Sequence, residues 1–229
     1  YRDAMRLVNT DRNIYGACMV AVGDGDVFVT GLTRGFSDTY KDLRLVMGAA
    51  EQRIPYGYNL FVSRGRTIFI GDTTIHPRPD GKTLASIACQ LAERARAMGH
   101  EPRVALISYS TFGNAASKIT KDGLEAIAEL DKMDVNFEYD GEMQVDIALN
   151  YKLMKEGYPF SRLTGPANVL LMPGLHAANI SAKLLRIFGD GIMIGPIMDG
   201  LEKPAQVLPM GCSVNDLVNA AAIGAVRAE

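Results

Sequence analysis

Arg103-Val104-Ala105-Leu106-Ile107, followed at once by Ser108-Tyr109-Ser110-Thr111-Phe112-Gly113-Asn114, is the stretch whose reading decides the fold. A short apolar run bounded by polar residues reads as a strand buried on both faces, as in parallel sheets. The hydroxyl-rich loop behind it then lies at the carboxyl end of a strand, ahead of a helix expected from Lys118 to Leu130. Working outward, an Ala-rich helix from Lys82 to Met98 precedes the run. A strand near Val135 to Tyr139, a helix from Val145 to Lys155, a strand from Asn168 to Met172, a helix from Ala177 to Ile187 and a strand from Ile192 to Ile194 follow it. Buried strands alternating with helices of this length predict an α/β/α sandwich, three layers around a mostly parallel sheet.

The first third reads differently. Cys18 to Val22, Val27 to Thr30, Asn59 to Ser63 and Thr67 to Ile70 look like short strands broken by Gly-Asp-Gly and Arg-Gly-Arg turns. Between them Tyr40, Leu43, Val46 and Met47 fall at helical spacing in a helix expected over Ser37 to Glu51, capped by Ser37 or Asp38. Ser213 to Arg227 reads as a final helix. Pro55 and Pro196 stand where the pattern changes, so residues 1–54 plus 196–229 are expected to form an outer lobe from both chain ends, and 55–195 a central α/β lobe.

The chain has 229 residues, 48% of them hydrophobic, and its 24 basic and 26 acidic residues are scattered through both halves for a net charge of −2. That distribution advertises no nucleic-acid partner and no anionic membrane, which leaves a small molecule or a protein. Cys18, Cys89 and Cys212 form no Cys-x-x-Cys pair, so neither a zinc site nor a disulfide framework is expected, and each reads as a core residue in a reducing cytoplasm. His76, His100 and His176 have no metal-ligand spacing. No apolar run approaches the roughly 20 residues of a membrane span and no signal peptide is expected. The sequon Asn179-Ile180-Ser181 reads as chance. A chain opening at Tyr1 in mid-pattern is expected to be part of something longer.

Single motifs leave both a plain and a functional reading open. Ser110 and Thr111 lie where ligands bind in α/β sheets, yet Ser and Thr also favour helix starts. Ser213-Val214-Asn215-Asp216 has capping-box spacing, while Asp216 could equally serve as a general base. Arg44 is either a solvated helix charge or a ligand contact. Asp140-Gly141-Glu142 reads as a turn entering a helix, and Lys203, beside Pro204 in a Gly-rich connection, is placed to meet a phosphate.

Taken in order, Ala105-Leu106-Ile107-Ser108-Tyr109-Ser110-Thr111, Asp140-Gly141-Glu142-Met143-Gln144-Val145-Asp146, Asn168-Val169-Leu170-Leu171-Met172-Pro173, Ala178-Asn179-Ile180, Gly195-Pro196-Ile197, Gly200-Leu201-Glu202-Lys203-Pro204 and Gly211-Cys212-Ser213 resemble the phosphate acetyltransferase family over nearly the whole chain. The resemblance implies the two-lobed, isocitrate dehydrogenase-like form of the sandwich, with the first quarter or third of the family domain lying outside this chain. It implies acyl transfer between CoA and phosphate in a cleft between two lobes, where an Asp takes the thiol proton, a Ser-Arg pair stabilises the transition state and a further Arg holds the acyl phosphate. Asp216 matches that Asp, Arg44 looks like the further Arg, and Lys183 and Lys203 match basic positions of the cleft; Ser110, Thr111 and Asn179 complete the expected acyl-CoA contacts. Where the family has Ser-Arg, this chain has Pro209-Met210.

Gln206-Val207-Leu208-Pro209 is similar instead to the phosphotransacetylase-like domain fused to bacterial NADP-malic enzymes, which oxidatively decarboxylate malate to pyruvate with NADP and Mg or Mn in a portion this chain lacks. That resemblance implies a regulatory domain binding acetyl-CoA or CoA, no metal of its own, inhibition by acetyl-CoA as the product side of pyruvate metabolism, and homo-oligomers that are at least dimers. An active phosphate acetyltransferase, in which Asp216 and Arg44 suffice or another Arg such as Arg34 replaces the missing one, and a pure assembly module using Leu217, Val218, Ala221, Ala222 and Ala225 are the alternatives.

Overall fold

The computed structural model describes residues 1–114 and 120–228. In chain order the elements are α1 (Arg2–Thr10), α2 (Arg12–Val22), β1 (Phe28–Gly31), α3 (Phe36–Arg44), β2 (Tyr56–Ser63), β3 (Arg66–Gly71), α4 (Gly81–Ala97), β4 (Arg103–Ile107), α5 (Lys121–Leu130), β5 (Glu138–Met143), α6 (Val145–Leu149), α7 (Tyr151–Gly157), β6 (Val169–Leu171), α8 (Leu175–Phe188), β7 (Ile192–Asp199), β8 (Ala205–Leu208) and α9 (Val214–Val226). They form two compact units, Tyr1–Gly57 with Ile194–Glu229, and Tyr58–Met193. The boundaries fall inside β2 and β7. No helix among the described residues is long and apolar enough to cross a membrane.

The second unit is the expected sandwich. Its sheet has the order β5-β4-β6-β3-β2-β7, with β5, β4, β6 and β3 mutually parallel and β2 antiparallel to β3. Alternation along β3 sends Ile68 and Ile70 to one face, where they join Ala105, Ile107, Leu170 and Met172 beneath α6, α7 and α8. Phe69, fully buried, stacks against Tyr58 on the other side. Helices α4 and α5 pack on each other, and Ile87, Leu91 and Leu130 are fully buried.

The other unit is built around β1 and β8, a parallel pair with Gly31 opposite Leu208. Gly31 has φ +120°, and a Cβ there would lie 2.1 Å from the Leu208 carbonyl oxygen, so only glycine lets the strands approach. Ala17 and Val20 of α2, Leu43 and Met47 around the end of α3, and Val207 of β8 form its core.

Several expectations are corrected. Cys18 to Val22 is not a strand but the second half of α2. Asp11 caps that helix by accepting from the Asn13 and Ile14 amides at 2.8 and 3.2 Å, Gly23 ends it with φ +89°, and Ile14, Ala17 and Val20 form its buried stripe. The first third is therefore more helical than stranded. Helix α3 stops at Arg44 rather than Glu51, and its cap residue is Gly35, not Ser37 or Asp38. The helix expected over Val145 to Lys155 breaks at Asn150, whose side chain accepts from the Leu153 amide and starts α7 afresh. Lys118 and Ile119, expected to open α5, lie outside the described residues. The strand expected near Val135 to Tyr139 begins at Glu138, and Asp140-Gly141-Glu142 is its interior rather than a turn. All three cysteines are half-buried rather than core residues.

A polar cluster holds the far edge of the sheet. Asp131 receives a guanidinium nitrogen of Arg162 at 2.5 Å and the Tyr139 hydroxyl at 2.7 Å. Arg162 first and the Tyr139 hydroxyl second hold the Asp131 carboxyl below the usual carboxylate range. A lowered native pKa adds stability that is complete above the unfolded Asp value and is lost as pH falls through the native one. Asp131→Asn is accordingly expected to melt below wild type at neutral pH and to converge with it on acidification. A gap that stays constant with pH would show that the ion pair contributes nothing.

Candidate functional site

The loop Ser108–Asn114 leaves the carboxyl end of β4 and is stitched to the end of β5. The Ser108 amide donates to the Met143 carbonyl at 2.9 Å and the Phe112 amide to the Glu142 carbonyl at 2.8 Å. Ser110, 1% exposed, donates its hydroxyl to Glu142, which also accepts from the Gly113 amide at 2.9 Å. The Thr111 hydroxyl oxygen accepts from the Gln144 amide at 3.1 Å. Both hydroxyls are thus used to fix the loop's shape, and the loop's ligand-facing resource is its backbone and the half-buried Ser108. The burial of Glu142 behind them is the part that sequence reading missed, because an acid beside a glycine resembles a turn.

Asn179 lies in the second turn of α8 and donates its side-chain amide to the Thr73 carbonyl at 3.3 Å. Lys183 follows one turn later on the same helix face and is exposed. The segment after β3 is the second unit's unforeseen polar centre. Asp72, 3% exposed, accepts from the amides of Thr74, Ile75 and His76 and from the imidazole Nδ1 of His76 at 2.6 Å. An Asp at a strand end followed by two threonines signals such an Asx-type turn.

In the other unit, Arg44 ends α3, exposed, with one guanidinium donor on the Met47 carbonyl at 3.3 Å. Arg34 is engaged by Asp11 at 2.5 Å and Asp42 at 3.2 Å, with Asp42 also accepting from Asn13. Lys203 is exposed in the connection between β7 and β8. Pro209 and Met210 follow directly on β8, beside the carboxyl end of β1; Met210 is 67% exposed. Asp216 completes a capping box, accepting from the Ser213 amide and hydroxyl, each at 2.9 Å, while the Ser213 oxygen accepts from the Asp216 amide. The capping reading of Ser213–Asp216 therefore holds. Among the described residues no three of His, Cys, Asp and Glu are grouped to hold a metal ion.

Comparison with known proteins gives a consistent outcome. Residues 1–225 match the model of the phosphate acetyl/butaryl transferase family. The chain is 45% identical over its whole length to an NADP-dependent malic enzyme of Rhizobium meliloti, of which it spans 30%, and 33% identical to the phosphate acetyltransferase of Corynebacterium glutamicum, covering 99% of this chain and 69% of that enzyme. Among solved structures, the EutD phosphotransacetylase of Staphylococcus aureus superimposes with a TM-score of 0.84 at 30% identity, over 95% of this chain and 67% of that one. The α/β fold with mostly parallel strands, the colinear motifs and the match over nearly every residue agree: the chain belongs to the phosphate acetyl/butaryl transferase family.

Proposed function

We propose that this chain is the acyl-CoA-binding regulatory domain of an NADP-dependent malic enzyme and does not itself transfer acetyl groups. The observation that carries the reading is Pro209-Met210 at the end of β8, where the family resemblance calls for Ser-Arg. A proline offers no donor from side chain or backbone, and a methionine thioether is only a weak acceptor. Neither neutralises phosphate charge or a developing oxyanion, and removing one such donor costs on the order of 100- to 1000-fold in rate. Arg44, Asn179, Lys183, Lys203 and Asp216 are retained, and ground-state contacts are all that binding requires. Arg44 supports it further, since most of its five guanidinium donors remain for a phosphate. Arg34 is a poor substitute for the lost arginine, being committed to two carboxylates.

On this reading the partners are acetyl-CoA, the malic-enzyme portion of the same protein with its NADP and Mg or Mn, and further copies of the chain. Acetyl-CoA inhibits malate decarboxylation through a preference for one global state, with coupling of about 1–3 kcal/mol. Calorimetric titration with acetyl-CoA is expected to give micromolar binding that weakens roughly tenfold or more in Arg44→Ala, as for the loss of charge-assisted hydrogen bonds. Absence of binding, or CoA-dependent consumption of acetyl phosphate at roughly 1–1000 per second, would sink the reading.

A further inference from the structure

The second unit contains a cavity of 670 Å³ that shares Ser108 with the loop described above but none of Arg44, Ser110, Thr111, Asn179, Lys183, Lys203 and Asp216. Its floor is the sheet face formed by Ile68 and Ile70 of β3, Leu170 of β6 and Ile107 of β4. Its walls are Leu149 of α6 and Leu185 of α8. The volume is that of a small-molecule site, which ranges over roughly 300–1000 Å³. The floor is deep rather than open, with Ile70 1% and Leu170 4% exposed.

The lining is mainly apolar, with hydroxyls from Ser108 and Ser181, and its cations are Arg64 and Arg66, at the end formed by the β2–β3 hairpin and Asp190. That end is held in shape. Ser63 pairs with Arg66 across a tight turn with φ +50° at Arg64 and +73° at Gly65, and the Ser63 hydroxyl donates to the Asp190 carbonyl. Arg64 reaches the Asp190 carboxylate at 3.5 Å with both side chains largely exposed, a weak pair. Arg66 has no ion pair among the described residues. Two guanidinium groups thus face one carboxylate, and the mouth carries a net positive charge.

We propose that this cavity binds an amphipathic monocarboxylate, a medium-chain fatty acid, with its carboxylate on Arg64 and Arg66 and its chain over Ile68, Ile70 and Leu170. From Arg66 to Ile70 the strand advances about 13 Å at about 3.3 Å per residue, the reach of an extended chain of about ten carbons. The assignment does not depend on acyl-CoA binding by the retained family residues, none of which lines the cavity, although it shares α8 and the β4 loop with them.

Titrating the protein with decanoate, octanoate and hexanoate tests it, with decanol as the uncharged probe. Each loss of two methylenes is expected to weaken binding roughly tenfold, and decanol is expected to bind at least about tenfold more weakly than decanoate, as loss of a charge-assisted contact implies. The double variant Arg64→Ala with Arg66→Ala, both exposed and so harmless to folding, is expected to reduce decanoate to the affinity of decanol. Ser181→Phe, whose ring would fill the cavity from α8, is expected to abolish binding of all four probes. No binding, no dependence on chain length, or equal affinity for decanol would overturn the proposal. So would a finding by sedimentation that the wild type self-associates through this face, that Ser181→Phe separates the copies and that decanoate leaves them together.

Discussion

Arg227→Met is expected to destabilise the unit that holds both chain ends by about 3 kcal/mol, the lower part of the range for breaking a buried ion pair. Arg227 lies just past α9 with its side chain 11% exposed, and a guanidinium nitrogen meets the Asp199 carboxylate, itself 1% exposed, at 2.5 Å. A second nitrogen donates to the Met198 carbonyl, so one side chain ties the end of α9 to the end of β7. Methionine keeps most of the volume and removes the charge, so the buried Asp199 carboxylate loses its guanidinium contact while its amide contact to Gly200 remains. The cation at this helix end also complements the α9 dipole, which methionine forfeits. Urea unfolding at neutral pH measures the loss. Adding Asp199→Asn to Arg227→Met is expected to recover part of it, because an amide loses less than a carboxylate when the guanidinium is gone. A single-variant loss under about 1 kcal/mol, the usual value of a surface pair, would show that Arg227 is not what keeps the Asp199 carboxylate in place.

Legibility followed the strength of the local signal. β4 was readable residue by residue because Val104 to Ile107 is apolar on both faces and bounded at each end by polar residues. α4 was readable to within one residue at each end, since its alanines and leucines keep helical spacing over 17 residues. α2 was not, because Cys18 to Val22 has a strand's composition while the deciding signals are the Asp11 cap and Gly23, outside that window. The strand β5 was shifted for a different reason: Asp140 and Glu142 look like solvent residues until Ser161, Arg162, Ser110 and Gly113 supply donors to them, contacts between residues 21 to 32 positions apart. β8 was recognised only as a family segment, its pairing with β1 being a contact between distant parts of the chain. The candidate site divides in the same way. Asp216 and Ser213 were readable as a cap from spacing alone, whereas Asp72 and His76 meet through a turn that only their backbone conformation creates. The cavity over β3 and β6 had no signature at all, because its aliphatic floor and the charged residues at its mouth are drawn from separate strands and helices.

Replacing Pro209 by Ser and Met210 by Arg together is expected to raise CoA-dependent turnover of acetyl phosphate by at least about 100-fold over the wild type, the worth of one restored transition-state donor. The site is prepared for the exchange. Leu208, 3% exposed, anchors the end of β8 against Gly31, and the Cys212 amide donates to the Pro209 carbonyl at 3.1 Å, so the backbone that would carry the new side chains is fixed on both sides. Met210 is largely exposed, so arginine enters without displacing core atoms. Asp216, the residue that the resemblance casts as the thiol base, already has its carboxylate oriented by Ser213. Adding Asp216→Asn to the double variant is expected to remove the gained activity at a stability cost of about 1 kcal/mol for the weakened cap, which thermal unfolding would register separately. If the double variant folds and binds acetyl-CoA yet stays at the wild-type rate, the transition-state pair is not what this chain lacks. A wild type already near the double variant's rate would mean that Pro209 and Met210 never silenced the site, and the regulatory reading would fall with it.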